Sequence, residues 1–301
     1  MILGRCDEIW TGRLTIMEQY TIIFREIYKG FEIEHCKRQE PCNMDLYHYH
    51  SGYEVYYLLS GIRNYFIKDR IYRIERGDIV VINRNDLHKT TYAGSMSHER
   101  ILINFEETFI NEMMPCLKDI DILKPFHDNI HIIKLNKAEQ MIIEKNLFKI
   151  MTEAKEKCVG SESFVILLMM ELLIFISRMA AQPKAATKEY LNPMHAKILD
   201  IVKYININYM NELTLQHISE NFYISPSYLS RLFKNVTGFT FVEYLKSIRI
   251  KEAQHLLKES KFSMDEIAER TGYESSTHFG RVFKEITGFS PLRFRKINKV
   301  F

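Results

Sequence analysis

The chain has 301 residues, which is enough for two domains of roughly 100 to 200 residues each. Its 46% hydrophobic and 26% charged residues, with only 12 glycines and 7 prolines, exclude a largely disordered or fibrous protein. The net charge of +3 hides an asymmetry, because residues 1–194 carry 25 basic and 27 acidic side chains whereas residues 195–301 carry 16 and 11. The excess positive charge therefore lies in the C-terminal third.

Cysteine usage and apolar segments favour a cytoplasmic protein that does not enter a membrane. The five cysteines are odd in number and form no CxxC pair, which is typical of reduced thiols. Charged residues interrupt the first thirty positions, so the apolar core of a signal peptide is missing. The longest apolar stretch, Phe164–Ile176, contains Glu171 and is shorter than the roughly 20 residues of a bilayer span.

Residues 20–105 are predicted to form short strands. Runs rich in β-branched and aromatic residues recur about every ten residues, with turn-like breaks between them. The predicted strands are Thr21–Phe24, Phe31–Glu34, Glu54–Leu59, Asn64–Ile67, Ile71–Ile74, Ile79–Ile82 and Ile101–Phe105. Many short strands without intervening helices indicate an antiparallel sandwich or barrel, and we assign it residues 1–135.

Two helices follow, over residues 137–157 and 162–179, with apolar residues at helical spacing. Their apolar surface is explained equally well by packing against a partner subunit or against the barrel of the same chain. We expect residues 136–182 to form a dimerisation segment. The next stretch, residues 183–194, has no periodicity and contains prolines, so it is the predicted linker to a domain of residues 195–301.

An internal repeat is the strongest feature of the C-terminal third. Residues 223–239 read YISPSYLSRLFKNVTGF and residues 273–289 read YESSTHFGRVFKEITGF, with eight identities at an offset of 50 that begin at Tyr223 and Tyr273. The preceding helices correspond at an offset of 49, so one residue is inserted in the second turn. The pattern predicts two copies of a helix, a tight turn and a helix.

Capping residues support these helices. Ser225 before Pro226 is predicted to be an N-cap followed by proline at the first helical position. Two capping boxes are predicted, at Ser263 with Glu266 and at Thr240 with Glu243, and left-handed C-terminal glycines at Gly238 and Gly288.

The second helix of each copy has one apolar stripe and one polar face. Small polar residues with Arg and Lys suit the DNA major groove, since short side chains allow close approach, Arg pairs with guanine and Lys neutralises phosphate. The alternative, an ordinary solvated surface, is weakened because the face occurs twice in register. The helix between the copies, Thr240–Leu257, would span about 27 Å at 1.5 Å per residue, close to the roughly 34 Å between successive major-groove faces.

Residues 213–297, above all YESSTHFGRVFKEITGFSPLRFR, resemble the DNA-binding domain of AraC/XylS-type transcription regulators. The resemblance implies seven helices, two helix-turn-helix units, and for many members activation of transcription, with RNA polymerase as a partner. The reading helices would be Ser225–Val236 and Ser275–Ile286. Because Arg281 and Lys284 match the family's common pattern, they are expected at the DNA backbone or in packing. The DNA-binding residues are predicted to be Ser227, Tyr228, Ser230, Arg231, Lys234, Ser276, Thr277, His278, Arg281 and Lys284.

Histidines and a carboxylate in the N-terminal half resemble the two motifs of the cupin barrel. His48, His50 and Glu54 are followed by Gly61, and later by Gly77 and His88. On a strand the first two imidazoles would share a face about 7 Å apart. The predicted fold class is therefore α+β, with an N-terminal cupin-like β-barrel, flanking helices and a C-terminal all-α double helix-turn-helix domain.

Three interpretations of this set remain open. In the first, a small-molecule effector binds to His48, His50, Glu54, Tyr56 and His88, and the many tyrosines of this segment suggest that it is sugar-like. In the second, a divalent metal is held by His48, His50, Glu54 and His88. In the third, the hydrogen bonds of these residues hold strands together. We expect no required cofactor and no catalysis. The protein is predicted to be an effector-responsive, homodimeric regulator that binds double-stranded DNA. The alternatives are a cupin metalloenzyme fused to a basic helical domain, and a module whose repeat binds protein.

Overall fold

A computed structural model describes residues 20–28, 30–39, 52–84, 86–113, 115, 117–128, 130–182 and 193–298. The chain divides into two compact units, one within residues 18–190 and the other within residues 191–301. The first unit contains all the strands of the described residues, and the second consists of helices.

The N-terminal unit contains two antiparallel sheets, as the spacing of the strand-like runs predicts. The strands are β1 (Tyr20–Tyr28), β2 (Phe31–Arg38), β3 (Tyr53–Ser60), β4 (Ile62–Ile67), β5 (Arg70–Glu75), β6 (Ile79–Ile82), β7 (His88–Tyr92), β8 (His98–Phe105) and β9 (Ile132–Ile133). The large sheet has the order β1-β2-β8-β3-β6-β9, and the small sheet has the order β5-β4-β7. Sequence analysis missed β7 and β9. We call the two sheets together the barrel.

The large sheet is buried on both faces, and the alternation along β3 shows how. Tyr53, Val55 and Tyr57 belong to a core shared with the helices of this unit. Tyr56 and Leu58 belong to a second core, between the large and the small sheet. Since successive side chains on a strand point to opposite faces, a single run of apolar residues can serve both cores.

The described residues of this unit also form four helices. Between β8 and β9 lie α1 (Glu107–Met113) and α2 (Lys124–His127), and after β9 come α3 (Lys137–Glu156) and α4 (Ser161–Ala181). The inner faces of α3 and α4 pack on the large sheet through residues such as Leu147 and Leu172. The predicted alternative, that these helices cover their own barrel, is therefore correct for these faces. Helix α4 is longer than the apolar stretch suggests and is long and apolar enough to cross a membrane by length and composition alone, although eight of its residues are buried within the unit.

Seven helices form the described part of the C-terminal unit, the number that the resemblance implies. They are α5 (Pro193–Asn208), α6 (Leu215–Asn221), α7 (Pro226–Thr237), α8 (Phe241–Glu259), α9 (Met264–Arg270), α10 (Ser276–Thr287) and α11 (Pro291–Asn298). The predicted linker, residues 183–194, lies outside the described residues apart from its last two, which already belong to α5.

The predicted helix ends are present in the C-terminal unit. Both capping boxes form, with Thr240 at the start of α8 and Ser263 at the start of α9. Gly238 and Gly288 end α7 and α10 in the left-handed conformation. The N-cap of α7, Ser225, makes no side-chain capping bond, so proline at the next position is what favours the start of this helix.

The turns before α7 and before α10 align with each other in a different way from the one predicted. Tyr223 has φ +50° and is 94% exposed, whereas Tyr273 is 6% exposed. The residue that matches Tyr223 is Gly272, which has φ +80° and whose amide donates to Glu269 just as that of Tyr223 donates to Glu220. The pairing of Tyr223 with Tyr273 is therefore wrong, and the inserted residue is Glu274.

Candidate functional site

Two of the predicted effector or metal residues meet in the interior of the barrel. His88 Nε2 lies 3.5 Å from Glu54 Oε2, and both side chains are almost fully buried. Glu54 Oε1 accepts a hydrogen bond of 2.8 Å from the hydroxyl of Tyr65, on the small sheet. The other two predicted ligands, His48 and His50, lie outside the described residues.

The environment of His88 favours a charged imidazole. Burial lowers the pKa of His88. The Glu54 carboxylate and the carbonyl of Asp86, which lies 2.7 Å from Nδ1, raise that pKa by more than burial lowers it, so the net pKa lies above the ordinary value. Glu54 and His88 offer two donors to a metal. Within the described ranges no third histidine, cysteine or carboxylate joins them in a metal-binding group.

A cavity opens between the two sheets beside Glu54. It encloses about 330 Å³, including its opening to solvent. The lining residues are Arg38, Glu54, Tyr56, His98, Arg100 and Leu102 from the large sheet, and Arg63, Tyr65 and Thr90 from the small sheet. Of the predicted effector residues, Glu54 and Tyr56 line the cavity.

Sequence analysis missed the four basic side chains of this cavity. The alternation of side chains along β8 contains a signal for Arg100. Arg100 and Leu102 lie on the face of β8 that points between the two sheets, and the apolar residues next to them point to the helices. A charged residue at an inward position of a buried strand is rare unless it is paired or functional. The signal can be used only when the face of β8 that points into the barrel is known, and the packing of the two sheets defines that face.

The arginines are held by contacts to both sheets. Arg100 Nη2 donates to Glu34 Oε1 at 2.8 Å, and its guanidinium lies 5.8 Å from the ring centre of Tyr56. Arg63 Nη2 donates to the hydroxyl of Thr90 at 3.3 Å. These contacts fix two positive charges at the cavity wall.

His98 responds to this field. Burial and then the charges of Arg63, Arg38 and Arg100 lower its pKa to about 3. The imidazole is therefore neutral at physiological pH, with positive charges around it.

The second predicted site lies on two exposed helix faces of the C-terminal unit, one on α7 and one on α10. On α7 the apolar stripe is buried through Leu229 and Phe233, and on α10 through Phe279 and Phe283. The predicted DNA-binding side chains are exposed, except that Ser276 is half-buried; they are Ser227, Tyr228, Ser230, Arg231, Lys234, Thr277, His278, Arg281 and Lys284. Exposure is what contact with a duplex requires, and the DNA contacts themselves stay a prediction.

Both helices leave their positive charges available. Arg231, Lys234, Arg281 and Lys284 form no ion pair within the part of the chain that the structure describes, and α7 contains no acidic residue. Such side chains can exchange counter-ions for phosphates without first breaking an internal salt bridge.

The helix between the repeats connects them through a residue that sequence analysis did not select. On α8, Arg249 donates from Nε to the carbonyl of Tyr209 at 2.8 Å and from Nη2 to that of Asn211 at 2.9 Å. The same guanidinium lies 5.5 Å from the ring centre of Tyr273, in the second turn. Arg249 therefore links the loop before α6 to the second helix-turn-helix unit.

Two family models match the chain. One, described as a helix-turn-helix domain, matches residues 218–297, and the other, described as an AraC-like ligand binding domain, matches residues 42–151. Together the two matches take in nearly two thirds of the chain. The first includes α7 to α10, and the second includes the cavity residues of β3 to β8.

Curated relatives and solved structures are similar over different parts of the chain. The HTH-type transcriptional activator RhaS of Escherichia coli strain K12 / DH10B is 22% identical over 254 residues, which are 83% of this chain and 87% of the relative. The C-terminal domain of AraT, a response regulator from Geobacillus stearothermophilus, is 33% identical and covers 37% of this chain and 91% of its own, with a TM-score of 0.35. ToxT from Vibrio cholerae strain SCE256 bound to an unsaturated fatty acid is 15% identical over 90% of this chain and 97% of its own, with a TM-score of 0.38.

Proposed function

Because the chain belongs to the AraC/XylS family of DNA-binding transcription regulators with a ligand-binding domain, we propose that it activates transcription when a small molecule occupies the barrel cavity. The observation that carries this proposal is the pair of matched, exposed faces on α7 and α10. Activation, rather than repression, is supported by similarity to an activator over most of the chain. RNA polymerase would then be a further partner.

DNA recognition is assigned to the two second helices of the repeats. Each presents small polar residues in its first turns and an arginine and a lysine further on, at Arg231 and Lys234 and at Arg281 and Lys284. Short side chains let the helix approach base edges, arginine can pair bidentately with guanine, and lysine neutralises phosphate. Helix α8 contacts both helix-turn-helix units of the C-terminal unit, in part through Arg249. These contacts favour binding of α7 and α10 to one duplex.

Signalling is assigned to the barrel. Residues of both sheets line the cavity, so a ligand that contacts both sheets changes the preferred position of one sheet relative to the other. The large sheet packs directly on α3 and α4. A ligand shifts the regulator only if it binds the active arrangement more tightly than the inactive one.

A homodimer is the assembly that the outer surface of α3 and α4 supports. Met141 is 72% exposed and Leu167 is 58% exposed, and Ile142 and Phe148 are also exposed. Apolar side chains outside the core are typical of helices that pack against a second subunit. Two subunits would also double the phosphate contacts, which matters because the C-terminal third carries a modest excess of positive charge.

We assign the protein to the cytoplasm and to binding without catalysis, as its family supports. A divalent metal is the second proposal for the barrel, because Glu54 and His88 already lie side by side. It would need donors beyond the described residues, such as His48 and His50. Metal analysis of the purified protein tests it, with stoichiometric zinc, iron or manganese as the supporting result.

The experiment for the DNA-binding function starts from genomic DNA. Fragments that the full-length protein retains are sequenced, and the enriched duplex is then titrated at several salt concentrations. We expect nanomolar binding to the enriched duplex, much weaker binding to unrelated DNA, and affinity that falls as salt rises. Equal affinity for all duplexes would overturn sequence-specific recognition, and no DNA affinity would overturn the proposed function.

A further inference from the structure

Gly280 lies in the interior of α10, where glycine is unfavourable. The helix begins at Ser276 and ends at Thr287, so Gly280 is in its second turn. Glycine at such a position destabilises a helix relative to alanine, because it loses more conformational freedom on folding. A requirement that alanine does not meet would explain its presence.

The backbone of α10 is not that requirement. Gly238 and Gly288, which end α7 and α10, have φ of +81° and +76°, in the left-handed region that favours glycine. Gly280 instead has the right-handed conformation of an ordinary helical residue. Alanine adopts this conformation without strain.

Packing within the C-terminal unit does not require glycine at this position either. Apart from its chain neighbours and the backbone of its own helix, no atom of the described residues lies within 4 Å of a Cβ built on Gly280. At Gly272, by contrast, a Cβ would lie 2.8 Å from the carbonyl oxygens of Tyr209 and Met210. The fold therefore requires glycine at position 272 but leaves open space beside Gly280.

This open space adjoins the predicted DNA-binding side chains of α10. Thr277 precedes Gly280 by three residues and Lys284 follows it by four, so both are its neighbours on the helix surface. Arg281 is the next residue in the chain, and all three side chains are exposed. An occupant of the space would lie beside two positive charges, and a DNA duplex has the complementary charge.

We propose that the backbone of α10 at Gly280 contacts the DNA duplex directly, and that the missing side chain lets this helix enter the major groove closely. The inference rests on the proposed DNA contacts of α10. Gly280 is then a positioning residue, because the depth of the helix determines whether Arg281 reaches base edges. The matching residue of α7, Ser230, is also small, as a second closely docked helix requires.

Gly280→Ala and Gly280→Leu test this by adding a methyl and an isobutyl group at the open space. Thermal unfolding of each full-length variant measures its stability. We expect the Tm of the C-terminal transition to rise by roughly 2–6 °C in Gly280→Ala, because alanine favours the helix. A gain in stability excludes unfolding as the cause of any lost affinity.

Fluorescence anisotropy measures binding of the same proteins to the enriched duplex and to an unrelated duplex. Affinity for the enriched duplex should fall at least about fivefold in Gly280→Ala and at least about fiftyfold in Gly280→Leu, since added bulk overfills a close contact. The unrelated duplex is the control. Affinity for it should stay within about twofold, because the charges that neutralise phosphates remain.

Unchanged affinity of Gly280→Ala for the enriched duplex would overturn the inference, and so would equal losses for both duplexes. A lower Tm in Gly280→Ala would also overturn it, because the fold would then require glycine at this position. If Gly280→Leu lowers the Tm, Gly280→Ala alone decides. The unsubstituted protein separates this inference from the proposed function. If it binds the enriched duplex and Gly280→Ala binds equally well, only the role of Gly280 is wrong, whereas no binding by either protein would overturn the proposed function.

Discussion

The hydroxyl of Tyr65 donates a 2.8 Å hydrogen bond to Oε1 of Glu54, and this bond joins the small sheet to the large sheet across the barrel interior. Burial and the neighbouring carboxylate raise the pKa of Tyr65 well above its ordinary value, so the phenol stays protonated and remains a donor. Glu54 is thus a structural residue of the barrel as well as a residue of the cavity wall.

Two tyrosine variants should differ sharply in stability. Tyr65→Phe removes a bond to a buried carboxylate and should lower the free energy of unfolding by about 1.5–3 kcal/mol. Tyr56→Phe removes a buried hydroxyl that has no hydrogen-bond partner among the described residues, and it should leave stability unchanged or raise it by up to about 1 kcal/mol. Scanning calorimetry of the N-terminal transition measures both, and equal losses in the two variants would contradict the assignment.

Acid should destabilise the barrel through His98. Its folded pKa of about 3 lies below the unfolded value of roughly 6.5, so its contribution to stability is complete above pH 6.5 and decreases as the pH falls towards 3. At pH 5 the loss should be about 2 kcal/mol. Denaturant titrations at pH 7 and pH 5 should show a smaller decrease for His98→Gln than for the unsubstituted protein, and identical decreases would show that this histidine is not responsible.

Substitutions at the two turn residues with positive φ should differ in their effect on stability. A Cβ on Gly272 would lie 2.8 Å from the carbonyl oxygens of Tyr209 and Met210, so Gly272→Ala should destabilise the C-terminal unit by about 2–4 kcal/mol. Tyr223→Gly relieves a left-handed tyrosine and should change stability by less than about 1 kcal/mol. Thermal unfolding of the two variants compares them, and a comparable loss in both would contradict the revised alignment.

Removing a positive charge from either of the two helices that are proposed to contact DNA, α7 and α10, should weaken DNA binding more than removing one from α5. Arg231→Ala and Arg281→Ala should each weaken binding to the enriched duplex about 10- to 100-fold. Lys203→Ala, which removes an exposed charge from α5, is the control and should change affinity less than about threefold. Fluorescence anisotropy measures the affinities. Equal effects of all three substitutions would indicate non-specific electrostatics.

Charged substitutions on the outer surface of α3 and α4 should dissociate the proposed homodimer. Met141→Lys and Leu167→Lys should each raise the dimer dissociation constant at least about tenfold, since burying an unpaired lysine in an apolar interface costs more than about 1.4 kcal/mol. Val159→Lys, in the exposed connection between these helices, is the control. Sedimentation velocity over a concentration series measures association, and unchanged association in both helix variants would move the interface elsewhere.

Local signals were sufficient for most of the C-terminal unit. The capping boxes at Thr240 and Ser263 and the glycines at Gly238 and Gly288 act within a few residues, so the sequence carries them directly. The alignment of the two turns was wrong because it paired Tyr223 with Tyr273 by their identical side chains, without regard to backbone conformation. The need for a left-handed residue pairs Tyr223 with Gly272 instead.

The candidate cavity was only partly predictable. Motif spacing located Glu54 of the cavity wall and the neighbouring His88, but the arginines of the wall come from separate strands, and no short motif connects them. Arg38 and His98 are opposite each other in the pairing of β2 with β8, sixty residues apart in the chain. Arg63 reaches the same space from the small sheet.

The sequence by itself determined most of the antiparallel strands, the capped ends of the repeated C-terminal helices and their two polar faces, because periodicity and capping depend on neighbours in the chain. The number of C-terminal helices came from the family resemblance. Only the tertiary structure decided which charged side chains share the barrel interior and which tyrosine of the turns is buried. Those outcomes depend on strand register and on which face of a sheet is enclosed. Burial in turn lowers the pKa of His98 to about 3 and leaves the hydroxyl of Tyr56 without a hydrogen-bond partner among the described residues.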